Sequence, residues 1–145
     1  MKNYLLREAL ADDAPKLQRL LGELGYAELG ENHVRKRIGD WAGDANSHVL
    51  VAECAGTIVG LASLYVLPLF HLAAPWGRIT ALVVDPLCQG KGVGTLLVRR
   101  LESFARERGC SAIEVTSREQ RLGAHAFYAR LGYELYTGRR FLKKL

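Results

Sequence analysis

Leu82-Val83-Val84-Asp85-Pro86-Leu87-Cys88-Gln89-Gly90-Lys91-Gly92-Val93-Gly94-Thr95-Leu96-Leu97 is the stretch whose reading decides the fold. Its first three residues close an apolar, β-branched run that begins at Arg78 and stops at Asp85-Pro86, so residues 78–84 read as a strand. Its last residues open a helical stripe of Val93, Leu96, Leu97, Leu101, Phe104 and Ala105, which Gly109 ends. Between strand and helix lie three glycines at alternate positions, Gly90, Gly92 and Gly94. Glycine lets backbone N–H groups turn inward and lets a ligand approach the main chain. The helix behind them leaves four N–H groups unpaired and carries a partial positive charge. The loop therefore suits a phosphate or pyrophosphate, with Lys91 adding a full charge and Thr95 a hydroxyl. The alternative is a glycine-rich turn that merely joins strand to helix. A Walker A loop needs four residues between its first Gly and the Gly-Lys-Ser/Thr end, and this loop lacks them. The dinucleotide pattern G-x-G-x-x-G is also absent, because the third glycine comes one residue early.

Upstream of that stretch, Lys2 to Glu8 reads as a first strand. Asp12 and Asp13 offer an N-cap, Pro15 falls in a first turn, and Leu17, Leu20, Leu21 and Leu24 recur at helical spacing. Residues 31–43 form a second helix with Val34, Ile38 and Trp41 on one side. His48 to Glu53 and Thr57 to Val66 are strands joined by the tight turn Ala55-Gly56, which makes a hairpin. Leu67 to Gly77 holds Pro68 and Pro75 and reads as a loop. Downstream, Ser111 to Ser117 is a strand and Arg121 to Leu131 a short helix closed by Gly132. Tyr133 to Tyr136 and Arg140 to Lys143 are expected as short final strands around Thr137-Gly138. The order is β-α-α-β-β-β-α-β-α-β-β, which is α+β and unlike the regular alternation of a doubly wound fold.

With 145 residues, 49% hydrophobic and 24% charged, the chain suits one soluble domain over residues 1–145. No apolar run approaches the ~20 residues of a membrane helix, and the start is not a signal peptide because charges close its short apolar run. Cys54, Cys88 and Cys110 lack metal-ligand spacing and read as reduced thiols of a cytoplasmic protein, with no metal. The net charge of +5 favours an anionic ligand or is a solvated basic surface. Nucleic acid is not expected, since no recognised motif is present and basic residues alternate with acidic ones.

The quoted stretch resembles the signature of the GNAT superfamily of N-acetyltransferases, Gln/Arg-x-x-Gly-x-Gly/Ala after a hydrophobic strand. A second match follows at the family's usual distance: Ala124-His125-Ala126-Phe127-Tyr128-Ala129-Arg130-Leu131-Gly132-Tyr133 is similar to its A-x-x-F-Y-x-x-x-G-F/Y segment. The resemblance implies a mostly antiparallel, mixed twisted sheet flanked by helices, and direct acetyl transfer from acetyl-CoA to an amine. It implies that main-chain N–H groups of Gln89, Gly90, Lys91, Gly92, Val93 and Gly94, with Thr95 beside them, bind the pyrophosphate. The family's strand before the loop splays from its neighbour, and pantetheine lies in the gap. The matching positions are the main chain of Leu82, Val83 and Val84, with Thr116 and Ser117 on the neighbouring strand. One N–H there would polarise the thioester carbonyl. Tyr128 matches the tyrosine that protonates the departing thiolate, a role open to a phenol of reference pKa near ~10. The alternative for Tyr128 is a packing residue with its hydroxyl at the surface.

Several family members carry a glutamate base near the position of Thr80, and threonine cannot serve as that base. Ordered water, or Glu53, His48, Glu114 or His71, would replace it, although each also reads as an ordinary surface residue. His125 lies three residues before Tyr128 and either touches the coenzyme or is solvated. Arg121 and Arg130 are further candidates for the nucleotide end. The acceptor would lie against residues 22–45 and 67–77, where Tyr26, His33 and Trp41 stand among acidic groups. A small-molecule amine is expected; a protein N-terminus or lysine, or a non-catalytic acyl-CoA sensor, is the alternative. A homodimer through the terminal strands would use Phe141, Leu142 and Leu145, which otherwise join the core.

Overall fold

The computed structural model describes residues 3–116, 122–136 and 138–145. The elements run β1 (Leu5–Glu8), α1 (Ala14–Glu23), α2 (Glu31–Ala42), β2 (Ser47–Cys54), β3 (Thr57–Leu67), β4 (Trp76–Val84), α3 (Val93–Glu107), β5 (Ala112–Val115) and α4 (Leu122–Arg130). The five strands lie in sequence order across one sheet. The first three junctions are antiparallel and β4–β5 is parallel, so the sheet is mixed and the α+β reading holds. The expected turn at Ala55-Gly56 forms with both residues at positive φ, 50° and 78°, as a two-residue hairpin of type I′ requires.

Helices cover both sheet faces, so β3 is apolar on both sides and buried along most of its length. On one face Leu17 and Leu20 of α1 and Val34 and Ile38 of α2 pack on Val51, Leu61 and Val83. On the other, Leu97, Val98, Leu101 and Ala105 of α3 pack on Leu50, Ala52, Leu64 and Ile79. The i, i+3, i+4 spacing of these residues is what turns each helix toward the sheet. A polar clamp ties β1, β2 and α1. Arg7 donates to both Asp13 oxygens at 2.8 and 2.9 Å and to Glu53 Oε1 at 2.7 Å. Asp13 was expected to cap α1; its carboxylate instead holds Arg7 and the Leu10 N–H, which keep it below the usual carboxylate range.

The two strands expected at 133–136 and 140–143 do not form among the described residues. Alternating apolar residues become a strand only where an edge accepts them. Tyr133 is engaged elsewhere: its N–H donates to the Tyr128 carbonyl at 3.0 Å, closing α4, and its hydroxyl donates to Glu102 of α3 at 3.0 Å. Phe141, Leu142 and Leu145 are exposed, so they do not join the core.

Candidate active site

The site begins where β4 and β5 part. Their register runs from Trp76↔Ala112 to Ile79↔Val115 and then ends, while β4 continues to Val84. Past Ile79, alternate main-chain groups of β4 on the side facing β5 have no strand partner among the described residues. The same point carries a bulge. Ser63 of β3 pairs with Ala81 and Leu64 with Ile79, which leaves Thr80 as the extra residue. Bulges re-aim side chains and end pairing, and this one does both.

The parted strands open a cleft of about 150 Å³. Thr80, Ala81 and Leu82 line it from β4 and Val115 and Thr116 from the β5 side, with Ala124 and Tyr128 of α4 and Leu24 and Tyr26 from the α1–α2 connection completing the lining. Of the candidate residues, the cleft therefore brings Leu82, Thr116 and Tyr128 together. Val83 turns its side chain away into the core under α1 and α2, leaving only its main chain to the site. Ser117 and Arg121 lie outside the described residues.

Tyr128 is half-buried, its ring set edge-on to Phe127 at 5.2 Å and to Tyr133 at 5.6 Å. Burial pushes its phenol up to about 12. Its hydroxyl makes no hydrogen bond with the described residues, so the O–H is available to a ligand in the cleft. His125 lines a larger open groove together with Tyr128, Arg99 and Glu102.

The glycine loop follows directly. Asp85 caps the turn after β4 by accepting the Leu87 N–H at 3.0 Å, and Lys16 of α1 meets its other oxygen at 3.4 Å. Gln89 Nε2 donates to the Val84 carbonyl at 3.3 Å. Gly90 and Gly92 have φ of 76° and 87°, and a Cβ at either would point into open space. Gly92 is the N-cap of α3 and supplies no side chain, so the first-turn N–H groups, including those of Val93, Gly94 and Thr95, stay open. Gly94 has a different duty: a Cβ there would lie 3.2 Å from Phe127 Cζ. The contact seats α4, and so Tyr128, against the start of α3. Lys91 is exposed and its ammonium bonds the Leu87 carbonyl at 3.2 Å, beside the loop. Cys88 packs toward the core.

The candidate bases do not converge on the cleft. Glu53 is engaged by Arg7, and Glu114 by Arg78 at 3.1 Å. His48 stacks on Phe104 of α3 at 4.4 Å, and burial lowers its pKa. His71 lies in the β3–β4 connection and does not line the cleft. Among the described residues the cleft holds no carboxylate or imidazole. The acidic residues of α2 are likewise spent locally, Asp40 on Lys36 at 2.8 Å and Glu31 on Arg35 at 3.3 Å. Sequence reasoning singled out Thr80 only for the acid it lacks and passed over Ser63, whose hydroxyl lies 2.7 Å from that of Thr80. The signal for Ser63 was a small hydroxyl in the middle of an apolar strand.

Residues 8–133 match the acetyltransferase (GNAT) family. An aminoalkylphosphonate N-acetyltransferase of Salmonella typhimurium is 35% identical over 131 residues, covering 89% of this chain and 84% of that one. Glucosamine 6-phosphate N-acetyltransferase 1 of Oryza sativa subsp. japonica is 33% identical, covering 86% and 76%. An aminoglycoside N-acetyltransferase solved in complex with CoA superposes with a TM-score of 0.88 over 99% of this chain and 96% of that one, at 14% identity, which is a likeness of fold. The chain belongs to the GNAT family and is an acyltransferase.

Proposed function

We propose that the chain transfers the acetyl group of acetyl-CoA directly to a primary amine of a small molecule, with the whole chain acting as one acetyltransferase domain. One observation carries this reading: the open edge of β4 and the Tyr128 ring line one cleft, and β4 runs on from that cleft into the glycine loop and the uncapped start of α3. The pyrophosphate rests on N–H groups of Gln89, Gly90, Lys91, Gly92, Val93 and Gly94, with Thr95 adding a hydroxyl. The pantetheine arm runs along the main chain of Leu82, Val83 and Val84, opposite Thr116 and Ser117, and one free N–H of that edge holds the thioester oxygen. Tyr128 gives its proton to the departing thiolate. The support for a small acceptor is the cleft's volume of about 150 Å³ and the small amines named for the two relatives.

An acetylation assay with mass detection tests this. The panel is 2-aminoethylphosphonate, glucosamine 6-phosphate, an aminoglycoside and a lysine-containing peptide. The expected result is a product 42 mass units heavier, about one acetyl group, on a small amine and faster than on the peptide. Acetylation of the peptide alone would make the chain a protein acetyltransferase. Acetyl-CoA binding without any product would make it a sensor.

Free Cys54, Cys88 and Cys110 support a reducing, cytoplasmic setting. The exposed Phe141, Leu142 and Leu145 support a homodimer through the C-terminal residues. Light scattering is expected to give twice the 16.0 kDa chain mass, and a monomer at micromolar concentration counts against the dimer.

A further inference from the structure

Ser63 and Thr80 form a hydroxyl pair that the reading above leaves without a task. Ser63 lies on β3 on the face that carries α1 and α2, in alternation with Leu61 and Tyr65, which pack on those helices. It is 7% exposed. Its Oγ lies 2.7 Å from Thr80 Oγ1, and no other hydrogen bond reaches it among the described residues. A buried hydroxyl that donates to nothing costs the full desolvation of its O–H. Ser63 therefore donates and Thr80 accepts. Thr80 is exposed in the cleft, so its own proton has water to go to, and one lone pair of Oγ1 stays free. The bulge is what puts this oxygen there, because Thr80 is the one β4 residue that pairs with neither neighbouring strand.

We infer that Thr80 Oγ1 accepts the N–H of the attacking amine, and that Ser63 is the positioning residue that holds Thr80 in the orientation to do so. The inference rests on the acetyl-transfer reading. An amine attacks through its lone pair, so a group that binds its N–H aims that lone pair at the thioester carbon. As the C–N bond forms, nitrogen becomes positive, and its bond to Oγ1 becomes charge-assisted and stronger. The C–S bond breaks, sulfur leaves with the electron pair and takes the Tyr128 proton. Nitrogen loses its proton to water, and water restores the phenol. The pair does not hold that proton, since a neutral hydroxyl is far too weak a base and Ser63 offers no further acceptor in the core. Thr80 thus orients a neutral amine without acting as its base.

The test uses the full chain and whichever of 2-aminoethylphosphonate and glucosamine 6-phosphate turns over faster. Thr80→Val keeps the shape and removes the acceptor. It is expected to lower kcat about ten- to a hundredfold with the KM for acetyl-CoA unchanged. The acid limb of the pH–rate profile stays at the pKa of the free amine in both proteins. Thr80→Ser restores kcat to within about threefold of the parent, and Ser63→Ala lowers it by a smaller factor with the same unmoved limb. A Thr80→Val enzyme within twofold of the parent overturns the inference, and so does an acid limb that moves, which would make the pair a proton acceptor. Absence of any turnover by the parent protein overturns the acetyl-transfer reading and this one with it.

Discussion

Tyr128→Phe is expected to lower kcat by about 10²-fold while leaving the KM for acetyl-CoA within about twofold, because it removes the phenolic hydroxyl and keeps the ring. The ring keeps its edge-on neighbours Phe127 and Tyr133, so α4 stays seated. The role requires the phenol to be protonated when the thiolate leaves. Burial supplies that condition, because the apolar surroundings disfavour the phenolate and push the pKa up to about 12. The sign is that of an acid whose neutral form is favoured: the active form is full below about 12 and is lost only as pH rises through it. Steady-state rates across pH 6 to about 10 should therefore show an acid limb from the amine and no alkaline loss from Tyr128. Poor leaving groups need the proton most, so the variant should recover part of its rate with an acyl donor whose thiol is more acidic than CoA. An unchanged kcat at saturating acetyl-CoA would falsify the assignment. A fall in kcat matched by lost binding would place Tyr128 in packing instead.

The glycine stretch was legible because each feature has a local cause. The strand needs its β-branched run, Asp85-Pro86 stops it, and two positive-φ glycines fit the turn before α3. The helices were legible by their stripes, with α2 ending at Ala42 and α4 at Arg130, close to the expected limits. What failed was decided at a distance. Asp13 stands at the N-cap of α1, but its carboxylate is taken by Arg7, which also reaches across to Glu53 of β2. Tyr133 began an alternating segment, but Glu102, thirty-one residues earlier, takes its hydroxyl. The cleft was half legible. Its tyrosine sits in a motif, whereas Thr80 and Tyr26 join it only through the bulge in β4 and the path of the α1–α2 connection. No local pattern contains a bulge whose cause is a register shift between two strands.

Gly92 and Gly94 share one motif, yet their substitutions are expected to fail in opposite ways. Gly92 has φ of 87°, where a β-branched residue costs about 1–3 kcal/mol. Gly92→Val cannot relieve that strain without turning the loop's N–H groups away from the anion. The KM for acetyl-CoA should rise about ten- to a hundredfold, since each 1.4 kcal/mol is a factor of about ten. kcat at saturating acetyl-CoA should hold within a few-fold, because the cleft and Tyr128 are untouched. Gly94 lies inside α3, where alanine is favoured over glycine by about 1 kcal/mol. Its new methyl would meet Phe127 Cζ at 3.2 Å and Cε2 at 3.4 Å, so the Phe127 ring must shift by a few tenths of an ångström. Tyr128 is the next residue, its ring 5.2 Å from that of Phe127, and it shifts too. Gly94→Ala should therefore lower kcat with a smaller change in KM, and thermal unfolding should show no loss of stability. If both variants raise KM alone, the Gly94 methyl disturbs only the phosphate cradle and the Phe127 contact does not position Tyr128. If both lower kcat alone, the loop is a hinge for α4 and the pyrophosphate is held elsewhere.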